Sequence, residues 1–406
     1  MKRLIVILFS IGFVFLLIAC KEDARDQTQD FSTGEFLERY DHNQAWLHLG
    51  AGFCKMDSVA YFASVPSVGG GRQCLAYADM DSGVCGPLCG KPECAHVSGT
   101  CDAYVGSSTI EGLSCYNGRL YWAASDNQGG HVFSAAFDGT DRRIVRNLDN
   151  EEFSKPSFNR YVVFHRGAMY LCGGTSTVSD GVPAFGSFIY SVSIDGKEPG
   201  TVILDKQYSD PEIGVNCFIQ PFRTGLYIGE TAWKGSTNRL TLYHWDIELQ
   251  ILEKIFEGDV PFTLNELWVS EDGILLSDQI SGNIYKYSFE DKNISWLFDF
   301  NADSQEYDRL RFSDNKIIGW ILTDSHLPTI RVTDFTGRML FDETVDIPEF
   351  QQNGFANIFC GADQGALYYY VSVRSDTSGS EGSCWELVKI PLDSGECQLL
   401  WPGEDI

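Results

Sequence analysis

The sequence has 406 residues, with 30 Lys and Arg against 56 Asp and Glu and a net charge of −26. That acid excess argues against a nucleic-acid binder and against an electrostatic grip on anionic membranes, both of which need basic patches. With 44% apolar and only 21% charged residues there is material for a large core, so disorder throughout is excluded.

Lys2 and Arg3 form a short positive segment, followed by an apolar run from Leu4 to Ile18 broken only by Ser10 and Gly12. The run is shorter than the roughly 20 residues of a comfortable membrane span and has the proportions of a secretory signal peptide. It ends in Leu17-Ile18-Ala19-Cys20, which resembles the lipobox of bacterial lipoproteins. The resemblance implies cleavage after residue 19, a diacylglycerol thioether on Cys20, and a palmitate-type anchor holding the mature chain outside the cytoplasm. A small residue before the Cys suits the peptidase, and the thiol carries the lipid. Residues 20–45, which carry the polar, acid-rich stretch KEDARDQTQDFSTG from Lys21, are expected to be the lipidated N-terminus and a flexible tether.

From residue 46 to 406 one pattern recurs, and we expect a single all-β domain there. A turn followed by an apolar, aromatic strand occurs at 59–64 (VAYFAS), 118–124 (GRLYWAA), 167–173 (GAMYLCG) and 224–230 (TGLYIGE). It returns at 272–278 (DGILLSD), 315–321 (NKIIGWI) and 365–371 (GALYYYV). Each copy is followed by two alternating strands around an acidic or Gly turn, as in VFSAAFDGTDRRIV (132–145) and IYSVSIDGKEPGTVI (189–203). Asp-Gly and its variants accept positive φ cheaply, which is hairpin chemistry. Seven such units predict a β-propeller of seven blades, with six or eight as alternatives, because stacked blades cover faces that none buries alone. A strand at about 44–50 (QAWLHLG) either opens blade one or locks the ring. The Tyr-rich first element and the terminal hairpin resemble propellers of the low-density-lipoprotein-receptor YWTD type, although no strict tetrad is present.

Blade one runs into a Cys-rich loop at 85–104, containing Cys85, Cys89, Cys94, His96 and Cys101. The stretch PLCGKPECAHVSGTCDAY resembles a signature of Gram-positive surface lipoproteins of propeller type, a likeness that implies no activity. Two readings of the residues stand side by side. Cys89, Cys94, His96 and Cys101 supply the three thiolates and one imidazole of a structural zinc site, with Pro87, Gly90, Pro92 and Gly99 giving the bends. Alternatively Cys85 joins Cys89, Cys94 and Cys101 in a two-bridge disulfide staple, as suits an oxidising compartment. Cys54 and Cys74 flank a hairpin and could pair across it; the remaining cysteines read as small buried apolar residues.

No catalytic residues are assigned. The other histidines (42, 47, 131, 165, 244, 326) stand alone, and no nucleophile elbow, Walker loop or dinucleotide fingerprint occurs. Acid pairs such as Asp138/Asp141 and Glu151/Glu152 read as hairpin or linker acids. The function expected is a lipid-anchored binding or protein-interaction module for an extracellular protein or carbohydrate. Tryptophans such as Trp122, Trp233 and Trp320 read either as stacking platforms on an end of the ring or as inter-blade core. The alternative is a propeller enzyme acting on carbohydrates or lactones.

Overall fold

Tight turns with left-handed residues, such as Gly118, Gly139 and Gly167, fold successive strands back on one another in chain order. The computed structural model describes residues 52–402 apart from 64–72, 92, 95, 97–99, 107–109, 117, 127–128, 149–156, 180–181, 195–198, 302–307, 323–326, 348–356 and 376–381, and gives some strand ends as backbone only. The expected signal peptide, Cys20, the tether and the 44–50 strand lie outside these residues.

The described strands form seven small antiparallel sheets. Blade one holds β1 (Phe53–Met56), β2 (Val59–Ala63), β3 (Gln73–Asp79), β4 (Val84–Pro87) and a short β5 (Tyr104–Gly106). Blade two holds β6 (Ile110–Tyr116), β7 (Arg119–Asp126), β8 (Gly129–Ala135) and β9 (Arg143–Asn147). Blade three is β10 (Ser157–His165), β11 (Ala168–Ser179), β12 (Val182–Ser193) and β13 (Thr201–Tyr208). Blade four is β14 (Gly214–Phe222), β15 (Gly225–Lys234), β16 (Thr237–Asp246) and β17 (Ile251–Val260). Blade five is β18 (Leu264–Ser270), β19 (Gly273–Asp278), β20 (Asn283–Ser288) and β21 (Ile294–Asp299). Blade six is β22 (Asp308–Ser313), β23 (Lys316–Leu322), β24 (Pro328–Asp334) and β25 (Met339–Thr344). Blade seven is β26 (Asn357–Ala362), β27 (Ala366–Ser375), β28 (Gly382–Pro391) and β29 (Gln398–Trp401). This is a seven-bladed β-propeller.

Burial falls from the inside of each blade outward. In blade five every residue of β19 is buried, whereas none of β21 is. Both faces of an inner strand are covered by neighbouring blades, while the outer strands splay into solvent. In blades two to seven the third and fourth strands are paired through a register shift, as between Ile284 and Tyr285, which adds twist to the outer strand. Blade one differs, because its outer strand is cut into β4 and β5, both paired to β3.

The core lies between blades. Apolar clusters fill six seams, from Trp122 and Leu113 between blades one and two to Phe62, Tyr370 and Trp401 between seven and one. Tyr121 against Phe164 packs the seam between two and three. Polar bonds also cross between blades. Tyr287 Oη donates to Ile255 O (2.8 Å), Asn265 Nδ2 to Leu310 O (2.7 Å) and Ala362 N to Ser313 Oγ (2.8 Å). At the closing seam Tyr370 Oη donates to Ala63 O (2.8 Å), and Lys55 pairs with Asp363 at 3.1 Å. Blade seven is built wholly from consecutive strands, so side-chain packing rather than an exchanged strand closes the ring among the described residues.

Candidate functional site

The Cys-rich segment is an excursion from the outer strand of blade one. Leu75 on β3 holds both of its ends: Leu88 N donates to Leu75 O, and Leu75 N donates to Ala103 O, each at 2.8 Å. The chain between Leu88 and Ala103 therefore leaves and re-enters the ladder at one residue. Within it Cys89, Cys94, His96 and Cys101 are brought together, with their four donor atoms all within 4.8 Å of one another. His96 Nδ1 and Cys101 Sγ are 3.3 Å apart. Glu93 and His96 both adopt left-handed φ (61° and 54°), a conformation that a non-glycine residue keeps only when its surroundings impose it.

Two cations border the group. Lys91 Nζ donates to Thr100 O (2.6 Å) and Asp102 Oδ1 (3.0 Å), tying the limbs of the excursion together. Arg142, just before β9, donates to Asp102 O (3.2 Å) and Tyr104 O (2.5 Å), and its guanidinium lies 5.0 Å from the Phe133 ring centre. Burial raises the Cys101 thiol to about 12. Burial acts upward on Cys89 too, but the Lys91 and Asp102 amides and the neighbouring thiols outweigh it and bring Cys89 below its ordinary value. Three sulfurs and an imidazole are a soft donor set that suits zinc rather than magnesium or calcium.

Cys85 is exposed on β4, opposite Ala78, and stands outside this group. Cys54 does not face Cys74. Its Sγ lies 3.1 Å from Cys115 Sγ, because the first strands of blades one and two converge near the ring axis, whereas Cys74 is buried with Cys101. A second pair of thiols, Cys172 and Cys217, meets at 3.4 Å between blades three and four. Cys360 is also buried. His131 bonds Asn147 Oδ1 (3.0 Å), His165 Nε2 bonds Arg223 O (2.6 Å), and His244 packs on Tyr227. Trp122 and Trp320 are buried between blades and are no stacking platforms; Trp233 is half-buried across from Gly214. Asp138 Oδ1 accepts from Thr140 N and Oγ1 at 2.9 and 2.7 Å, confirming it as a turn acid.

A polar cleft of about 640 Å³ opens on the turns of blades one and seven. Lys55, Asp57, Asp81, Asp363, Lys389 and Asp393 bring both signs of charge to it. Tyr368 Oη donates to Asp363 Oδ2 (2.8 Å). Burial pushes Asp363 up, but the Tyr368 hydroxyl, the Gly365 amide and Lys55 together leave it below its ordinary value. Sequence reasoning did not find this cleft, since its residues come from four separate turns.

No protein-family model and no curated relative matches the sequence. Solved structures do. The chain is similar to the Pyrococcus horikoshii acylaminoacyl peptidase at 11% identity and a TM-score of 0.53, covering 89% of this chain and 54% of that one. It is similar to a prolyl endopeptidase at 12% identity and a TM-score of 0.52, covering 91% and 52%. It thus spans about half the length of these peptidases. A chain of a nidogen/laminin complex matches at 11% identity and a TM-score of 0.38, covering 68% and 91%, too loosely to carry an argument. At such identities the likeness is one of fold alone.

Proposed function

We propose that the chain is a lipoprotein anchored through Cys20 to the outer side of the membrane, with its ring serving as a binding module for an extracellular protein or carbohydrate. The run from Lys2 to Cys20 carries the anchoring, because a positive start, a short apolar stretch and Ala19-Cys20 occur together. Among the described residues no helix is long and apolar enough to cross a membrane.

The turn carboxylates of the described residues suit contacts to a polar ligand. Each described carboxyl whose pKa departs from its ordinary value has it lowered: Asp79, Asp138, Asp210, Glu257, Asp272, Asp334 and Asp363. Turn amides, hydroxyls and cations hold these groups ionised. The seam cleft, with two lysines among four aspartates, suits a polar ligand such as a sugar or a peptide.

Palmitate labelling of the wild type and Cys20→Ala in a bacterial host tests the anchor. Label and membrane fractionation should both be lost in the variant, and unchanged labelling would refute the anchor. Glycan and surface-protein arrays probed with the mature chain test the binding role. A ligand weakened at least tenfold by Asp57→Ala with Lys389→Ala supports it, and turnover of a glycoside or lactone would replace it with the enzyme reading.

A further inference from the structure

The Cys-rich excursion plays no part in that reading and needs its own explanation. Apart from strand β5 at its return and Leu88 at its start, the apolar anchorage among the described residues is slight: Cys74, Cys101 and Ala103 are buried, with Cys89, Cys94 and Tyr104 packed against them. Fixing each residue of such a segment costs backbone entropy that so small a cluster does not offset. Something else must hold the loop, and its side chains supply it.

The four donors are arranged for one ion. A tetrahedral zinc with sulfurs at about 2.3 Å and nitrogen at about 2.0–2.1 Å has donor–donor edges of roughly 3.5–3.8 Å. The present group spans no more than 4.8 Å, and its His96–Cys101 edge is already 3.3 Å. Small side-chain movements close it. A disulfide staple accounts for the group less well. Three sulfurs cannot all pair among themselves, and the fourth cysteine of the stretch, Cys85, is exposed and outside the group. Two bridges, one between Cys74 and Cys101 and one between Cys89 and Cys94, are the competing arrangement, and they leave His96 among sulfurs without a role.

The excursion rests on blade two. A Cβ at Gly139, in the turn after β8, would overlap the Leu88 carbonyl, so backbone meets backbone there. Thr140 lies beside Gly90, and Arg142 grips the carbonyls of Asp102 and Tyr104. We propose that Cys89, Cys94, His96 and Cys101 bind one structural Zn²⁺, which locks the outer strand of blade one against the Ala136–Arg142 turn of blade two. Binding releases the thiol protons to solvent and changes no oxidation state. Three thiolates leave the bound site with one net negative charge, facing Lys91 and Arg142. Arg142 is a positioning residue, since it touches the loop backbone and not the donors.

The test uses the mature full-length chain purified without chelator, without added reductant and under inert gas. One zinc per chain is expected, retained through gel filtration and released by a mercurial thiol reagent. Cobalt should replace it with the visible bands of a tetrahedral, thiolate-rich site. Cys89→Ser and His96→Ala, at half-buried positions, should lose stoichiometric metal while circular dichroism keeps the β signature. Cys85→Ser should keep the metal. Arg142→Met should retain the cobalt spectrum but bind the metal about 10–100-fold more weakly, as loss of an outer partner does. Absence of zinc together with loss of two hydrogen masses per bridge among Cys74, Cys89, Cys94 and Cys101 would overturn the proposal in favour of disulfides. Full zinc retention in His96→Ala would overturn the ligand assignment.

Discussion

The Lys206 ammonium lies 2.6 Å from Glu230 Oε2, joining the outer strand of blade three to the second strand of blade four. Glu230 is 1% exposed, and its other oxygen accepts from Ser187 Oγ at 2.5 Å. A buried carboxylate is tolerated there only because both oxygens are engaged. Lys206→Met should therefore destabilise the ring by about 2 kcal/mol in urea unfolding, less than for a fully buried pair because the lysine is a third exposed. Adding Glu230→Met should recover part of the loss, and an unaffected single variant would contradict the account.

The closing seam makes a similar demand. Tyr370 is fully buried, with its hydroxyl on the Ala63 carbonyl. Tyr370→Phe keeps the packing and removes the bond, so it should cost about 1–2 kcal/mol. A matching fall in the urea midpoint without a change in slope would locate the effect in the folded state.

Trp122 is inaccessible, stacks on Phe133 at 5.5 Å between ring centres, and leaves its indole N–H without a hydrogen-bond partner. Trp122→Phe should cost under about 1.5 kcal/mol, because it removes an unpaired donor along with some volume. Trp122→Ala should cost about 3–5 kcal/mol through the cavity it leaves. Thermal melting of the two variants distinguishes this core role from ligand stacking, which would leave stability unchanged.

The turn between β24 and β25 should show in the acid limb of stability. The Thr336 hydroxyl (2.6 Å), the Thr336 amide and Arg338 hold Asp334 at about 2, below its ordinary value. Because the folded value is depressed, this contribution is complete above about pH 4 and is lost as pH falls toward 2. Asp334→Ala should cost up to about 1 kcal/mol at pH 7, since the site is largely solvated, and almost nothing at pH 2. A cost that is equal at both pH values would contradict the assignment.

Thiol reactivity should follow burial. Cys54 and Cys217 are pushed well above the ordinary thiol range, Cys54 chiefly by burial and Cys217 chiefly by its bond with Cys172. At pH 8 an alkylating agent should modify Cys85 in the native chain and spare Cys54, Cys115, Cys172 and Cys217 until unfolding. Labelling of those four in the native chain, read by peptide mass, would show that the seams open.

The sequence disclosed three strands of each blade and hid the fourth. The second strands carry a turn followed by an aromatic run, and the outer hairpins carry Asp-Gly chemistry, so local signals sufficed. The innermost strands, such as DRLRFS in β22 and NIFCGA in β26, follow variable connections and have no turn mark. Their role is fixed by convergence on the axis, a tertiary property. The same convergence sets Cys54 against Cys115 across 61 residues, where no local pattern could point. The Cys3His group was legible because its four ligands share one short stretch. Arg142 was not, since an arginine after an Asp-Gly turn reads as solvated until the fold folds the loop carbonyls onto it.

X-ray absorption at the zinc edge of the mature chain tests the central claim most directly. The account predicts one zinc per chain with three sulfurs at about 2.3 Å and one nitrogen at about 2.0 Å. A chain without zinc and with bridged cysteines in the excursion, or a zinc surrounded by oxygen, would contradict it.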